Sequence, residues 1–167
     1  MVIHMEIEII PAEGTHVPEI VELWKEAMEF HEAVNPLLAR SKDGHIHMEK
    51  HLHDMIQSED TQVLAAVHKG RVVGYSIFRI YMRPPILKYR TSGFIVDIAV
   101  KSDYRRKGIG GKMLHTILEW FESHDVDRIE LRAAPENEMA FSFWKKHGFQ
   151  IYMYDMHLLR TYNEKSK

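Results

Sequence analysis

The chain has no cysteine among its 167 residues. That excludes a disulfide framework, a thiolate metal site and a cysteine nucleophile, and it fits a reducing compartment. It also lacks a charge excess of either sign. The 22 Lys and Arg against 24 Asp and Glu leave a formal net charge of −2, so no nucleic acid and no anionic membrane is implied as a partner. No stretch approaches the roughly 20 apolar residues that cross a bilayer. The segment Met1 to Pro11 alternates apolar and polar residues around His4, Glu6 and Glu8, which is the pattern of a first strand and not of a signal peptide. A cytoplasmic protein is expected. Met5 is an alternative start, and residues 1–4 and 161–167 read as mobile tails.

What is present is the balance of a globular protein, 45% apolar and 28% charged, in a length that suits one domain over 1–167. Glu6 to Pro11 reads as a strand. Thr15 is placed to cap a helix with Pro18 in its first turn. Val17, Ile20, Val21, Trp24, Ala27, Met28 and His31 then recur at helical spacing as far as about Val34. Asn35-Pro36 stops that helix. A second helix is expected from about His47 to Ser58, then a hairpin of strands Thr61 to Val67 and Arg71 to Tyr81 about Lys69-Gly70. A long loop, Arg83 to Ser92, precedes an apolar strand, Gly93 to Val100, that holds one acid, Asp97. Ile109, Met113, Leu114, Ile117, Leu118 and Phe121 form a helical stripe. Arg128 to Ala134 is a further strand. Asn137 caps a helix to about Lys146, with Gly148 just past its end. Phe149 to Leu159 alternates again and is expected to close the sheet.

The informative stretch is Val100-Lys-Ser-Asp-Tyr-Arg105-Arg-Lys-Gly108-Ile-Gly110-Gly111-Lys112. It leads from a strand, through a basic turn, into a helix. A helix N-terminus has unpaired N–H groups and a partial positive charge, and so attracts phosphate. Glycines at 108, 110 and 111 remove Cβ atoms that would keep a phosphate away, and Arg105, Arg106 and Lys107 add charge. Two readings stay open on these grounds: a phosphate cradle, or a tight connection with a solvated basic face. The stretch is neither a Walker loop, since the Lys-Ser/Thr ending is missing, nor a dinucleotide fingerprint.

Arg105-Arg-Lys-Gly108-Ile-Gly110 resembles the acyl-CoA signature Arg/Gln-x-x-Gly-x-Gly/Ala of the GCN5-related N-acetyltransferase (GNAT) family. The preceding strand Ile95-Val-Asp-Ile-Ala-Val100 is similar to that family's central strand. Downstream, Asn137-Glu-Met-Ala140-Phe-Ser-Phe143-Trp144-Lys-Lys-His-Gly148-Phe149 resembles the family's Asn-x-x-Ala…Tyr…Gly-Phe segment. The order of strands and helices agrees across nearly the whole chain. The resemblance implies a mixed α/β (α+β) acyl-CoA N-acyltransferase fold. Its central sheet would be twisted, mostly antiparallel, splayed between the fourth and fifth strands and flanked by about four helices.

The resemblance further implies acetyl-CoA as co-substrate, with no metal required. The backbone of Ile98, Ala99 and Val100 would pair with the pantetheine arm, and the N–H near Ile98 would polarise the thioester carbonyl. Arg106, Lys107, Gly108, Ile109, Gly110 and Gly111 would hold the pyrophosphate, with Arg105 also in the cofactor site. Asn137 would reach the pantetheine, cap its helix, or both. Asp97 is either the base, acting through water with a pKa raised by burial, or a structural anchor. Trp144 stands where many members have a tyrosine that protonates the thiolate. An indole N–H is no useful proton donor, so Trp144 would pack beside the sulfur. Tyr104, Tyr152 and Tyr154 are then unranked candidates for the acid, beside water.

The expected activity is transfer of an acetyl group to a primary amine of a small molecule. Two alternatives remain: acetylation of protein N-termini or lysines, and a non-catalytic acyl-CoA-binding module. Arg83, Lys88, Tyr89 and Arg90 would receive an acidic group of the substrate or are solvated charges. Trp24, Phe30 and His31 line the pocket or belong to the core. His47 and His51 share a helix face at metal-ligand spacing, yet no third ligand is evident. Ile151, Met153 and Met156 belong to a homodimer surface or to the core.

Overall fold

The computed structural model describes residues 5–126 and 128–160; the two expected tails lie outside that range. Five strands, β1 (Glu8–Pro11), β2 (Thr61–His68), β3 (Arg71–Met82), β4 (Thr91–Val100) and β5 (Arg128–Leu131), form one sheet in that order. Neighbours are antiparallel except β4 and β5, which are parallel. Four α-helices flank it: α1 (Val17–Val34), α2 (Gly44–Ile56), α3 (Ile109–Ser123) and α4 (Glu138–Lys146).

Strands β2 and β3 are apolar on both faces because both are covered. Val63, Ala65, Tyr75 and Ile77 pack against Val17, Ile20, Val21 and Leu23 of α1 and Leu52 and Met55 of α2. On the opposite face Leu64, Phe78 and Ile95 meet Leu114, Ile117 and Phe121 of α3 and Trp144 of α4. The β2–β3 hairpin turns on Lys69 (φ 49°) and Gly70 (φ 74°); two left-handed residues in a row match the twist of the strands they join.

The structure departs from the sequence reading at several places, among them the following. Thr15 does not cap α1. A short 3-10 turn, Gly14–His16, precedes it, and the Glu13 N–H is bonded to His16 Nδ1 at 2.9 Å instead. Helix α2 starts three residues earlier than expected, at Gly44, whereas β5 stops at Leu131, short of Ala134. The expected closing strand, Phe149 to Leu159, is absent: Gln150 to Arg160 runs exposed and joins no ladder. Alternation prepares a segment for a sheet, but a strand also needs a partner edge at hydrogen-bonding distance.

Candidate acyl-transfer site

Strand β4 organises the site. Its pairing with β3 continues to Val100, opposite Gly74, whereas its pairing with β5 covers Ser92 to Ile95 alone. From Val96 to Val100 the β5-facing edge therefore lacks a strand partner among the described residues. Such an edge offers backbone N–H and C=O groups to an extended ligand. The ladder with β3 also slips there: Phe78 pairs with Ile95 and Ile77 with Asp97, which leaves Val96 as a bulge. A bulge bends the strand and re-aims the side chains next to it.

Asp97 follows that bulge. Opposite Ile77, it shares the face covered by α1, and its Oδ2 accepts a hydrogen bond from the Tyr75 hydroxyl. Tyr75 is fully buried. Burial pushes the Asp97 carboxyl above its ordinary range, against the opposing pull of the Tyr75 hydrogen bond, the charge of His31 and the Ile98 amide. Burial, and then the charge of Asp97, hold the Tyr75 hydroxyl well above the usual tyrosine range. The pair therefore favours a proton on the carboxyl more than a free aspartate does. Tyr75 was missed in the sequence. The available signal was a tyrosine in a buried strand and a lone acid in its neighbour, each needing a polar partner.

After Val100 the chain makes a 3-10 turn, Ser102–Tyr104. Arg105 Nε donates to the Val100 carbonyl at 2.9 Å, so this guanidinium pins the end of β4. Lys107 Nζ donates to the Asp103 carbonyl at 2.8 Å and lies 5.3 Å from the Tyr104 ring. Arg106 is exposed, at φ 62°. Gly108, at φ 81°, is the residue before α3, and a Cβ there would meet nothing within 4 Å. Glycine is needed at 108 for its backbone angle, and the space beside it is open. The first bond within α3 runs from the Lys112 N–H to the Gly108 carbonyl at 3.0 Å; the amides of Ile109, Gly110 and Gly111 have no helical acceptor. Gly110 serves packing, since a Cβ there would stand 3.4 Å from the Phe143 ring of α4.

Asn137 is buried and caps α4, its Oδ1 accepting from the Ala140 N–H at 3.1 Å. Trp144 is 8% exposed, within the core, with the Phe143 and Phe149 rings at 4.9 and 5.2 Å. Tyr104 stacks edge-on against His68, Tyr152 donates to Glu130, and Tyr154 is exposed. In the loop before β4, Arg83 Nη1 donates to the Tyr89 carbonyl at 3.2 Å and Lys88 lies over the Tyr89 ring. His47 and His51 are exposed on α2. Among the described residues no group of three or more His, Asp or Glu is placed to hold a metal, and no helix is long and apolar enough to cross a membrane.

The model of the acetyltransferase (GNAT) family matches residues 18–149, a span that takes in the free edge of β4, the turn and the start of α3. The chain belongs to the GNAT family. Similar proteins include streptothricin acetyltransferase A of Bacillus subtilis (strain 168), 40% identical over 57 residues, which are 34% of this chain and 33% of that protein. The L-amino acid N-acetyltransferase AaaT of Escherichia coli (strain K12) is 30% identical over 89 residues, 53% of this chain and 52% of that one. An N-alpha-acetyltransferase of Sulfurisphaera tokodaii is 33% identical over 98 residues, 56% of each chain. The chain thus spans from a third to just over half of these relatives.

Solved structures extend the likeness in fold. A tetramutant of the BH1408 protein from Bacillus halodurans superposes with a TM-score of 0.83 at 25% identity, covering 92% of this chain and 99% of that one. An aminoglycoside N-acetyltransferase solved in complex with CoA, AAC(6')-Iy, gives 0.69 at 14% identity, covering 99% of both. The parallel β4–β5 pair that parts after Ile95 is therefore the splayed sheet of a GNAT fold, as the resemblance implied.

Proposed function

We propose that this GNAT protein transfers an acetyl group from acetyl-CoA to a primary amine of a small molecule, by direct attack in the opening between β4 and β5. One observation supports this above the others: the free edge of β4 from Val96 to Val100 runs directly into a left-handed turn and an open helix N-terminus, with Asp97 of that strand held by Tyr75 of β3. The residues fit the co-substrate. The amides of Arg106 to Gly111 and the exposed Arg106 side chain suit a pyrophosphate. Arg105 keeps that turn fixed to Val100 and so acts by positioning.

Ile98, Ala99 and Val100 offer the edge along which the pantetheine arm lies, and Asn137, the cap of α4, reaches that arm. The Ile98 N–H polarises the thioester carbonyl. The chemistry is a balanced exchange: a C–N bond forms, the C–S bond breaks, and CoA leaves as a thiolate. Asp97 accepts the amine's proton through water. Trp144 forms a wall near the sulfur and water protonates the thiolate, because an indole N–H is not acidic enough.

The small-molecule reading draws support from the relative named for L-amino acids and from the aminoglycoside acetyltransferase neighbours. Acetylation of protein N-termini is a second reading, favoured by the relative named N-alpha-acetyltransferase. Because the chain has no cysteine, a thiol reagent reports released CoA without protein background. CoA release with small amines and none with peptides is the expected result. Release with peptides alone selects the second reading, and acetyl-CoA binding without release from either leaves a non-catalytic binding module.

A further inference from the structure

Arg79 of β3 stands opposite Phe94 of β4, and Phe94 stands opposite Glu130 of β5, so the three form one row across the sheet. Asp97 stands opposite Ile77, which precedes Arg79 by two positions on β3. Side chains two apart on a strand share a face, so Arg79 and Asp97 project on the same side of the sheet. Along the strand their positions are about 7 Å apart. The row therefore continues the face on which Asp97 awaits an amine.

Three guanidiniums gather around this row. Arg79 lies 5.9 Å and Arg132 5.8 Å from the Phe94 ring centre. Arg132 Nε meets Asp155 Oδ2 at 2.6 Å, and Arg128 Nε meets Glu130 Oε1 at 2.7 Å. Each of these two has its carboxylate. Arg79 does not. It is exposed, and among the described residues its guanidinium closes no hydrogen bond and no ion pair. Asp60 feels its charge but takes its hydrogen bonds from Ser58 Oγ at 2.7 Å and Thr61 Oγ1 at 3.1 Å. In the loop before β4, Arg83 is engaged with the Tyr89 carbonyl and Lys88 with the Tyr89 ring.

We propose that Arg79 receives a carboxylate of the acetyl acceptor, which makes that acceptor an amino acid. The inference rests on the acetyl-transfer reading above and narrows its substrate class. A guanidinium beside an aromatic ring keeps its N–H fork for a planar acid group and can bind it through two parallel hydrogen bonds. A span of about 7 Å suits an amine and a carboxylate carried on the same small molecule. Charge points the same way: a polycationic acceptor brings its charges against Arg79, whereas a carboxylate completes the set.

The test compares the common L-amino acids, each beside its own primary amide, in CoA release from acetyl-CoA by wild type and by Arg79→Gln. An amino acid's carboxylate keeps its own ammonium protonated, so reaction without a carboxylate site favours the amide. The wild type is expected to favour the acid for at least one pair. That ratio of kcat/KM should fall about 10- to 100-fold in Arg79→Gln, as for the loss of a hydrogen bond to a charged group. Arg79→Lys, which keeps the charge without the fork, should fall less and carries the test if the glutamine variant misfolds. A general loss of structure lowers both members of a pair and leaves their ratio alone. A wild type that favours the amides throughout, or a ratio that survives both substitutions, overturns the proposal while acetyl transfer stands. No release with any acid or amide overturns both.

Discussion

Tyr75 donates its hydroxyl hydrogen to Asp97 across the β3–β4 pair, diagonally, since Tyr75 stands opposite Ala99 and Asp97 opposite Ile77. The contact ties the acid nearest the opening of the sheet to one of the most deeply buried side chains of the core. Stability and chemistry therefore make opposing demands on Asp97.

Those demands separate in Asp97→Asn. Burial raises the carboxyl in the fold, so its contribution to stability is full below its unfolded value and is lost as pH rises through the raised one. At neutral pH the asparagine variant should melt no lower than wild type, and relatively higher as pH increases. Its rate of acetyl transfer should fall by about 10²- to 10⁴-fold, the usual effect of losing a general base. Melting curves and CoA release on the same preparation check both; equal activity would make Asp97 structural.

Tyr75→Phe removes a group that pulls the Asp97 carboxyl down. The acid limb of kcat/KM should move to higher pH while the plateau changes less. A pH–rate profile reads this directly. A lower plateau with an unmoved limb would mean that Tyr75 acts through packing.

Two glycines should fail in different ways. A Cβ on Gly93 would stand 2.6 Å from a ring carbon of Phe121, which is fully buried. Gly93→Ala should cost about 1–3 kcal/mol of stability, as overpacking does, with KM for acetyl-CoA little changed. Gly108→Ala meets open space but a left-handed backbone, a strain of about 1–2 kcal/mol, and should weaken acetyl-CoA binding more than it lowers the melting temperature. Denaturation and KM measured on both variants separate the two effects.

Glu130 titrates in the opposite sense to Asp97. Burial pushes its carboxyl up, yet hydrogen bonds from Tyr152 and Arg128 outweigh it and hold the group below its ordinary value. The stabilisation is present above the unfolded value and is lost as pH falls through the lowered one. Glu130→Gln should cost about 1–3 kcal/mol at neutral pH, as for a hydrogen bond to a charged group. The deficit should shrink toward acid pH in a series of melts.

Much of this site was legible because its parts are contiguous. The stretch Ile95 to Gly111 carries strand, turn and helix start in one run of sequence, so these elements were legible there, while their assignment to acyl-CoA came from the family resemblance. Asn137 and Gly148 were legible as helix ends for the same reason, and the structure places Asn137 at the cap with Gly148 left-handed at φ 87°. Tyr75 was not, because its meaning comes from a residue 22 positions away across a ladder. The closing strand misled for a related cause: Ile151 to Leu159 has the alternation of a strand, and nothing local states which edge it should join. Arg105 and Lys107 read as cofactor-binding charge, yet the structure shows Arg105 Nε donating to the Val100 carbonyl and Lys107 Nζ to the Asp103 carbonyl.

The central claim concerns the turn and the edge that leads into it. Calorimetric titration of acetyl-CoA into the wild type and into Gly108→Glu, each verified as folded, tests it most directly. The new carboxylate projects into the open space beside the α3 amides, where phosphate is proposed to sit. The account predicts micromolar binding to the wild type, weakened about tenfold or more, 1.4 kcal/mol or above, in the variant. Failure of the folded wild type to bind, or equal affinity in both, would contradict it.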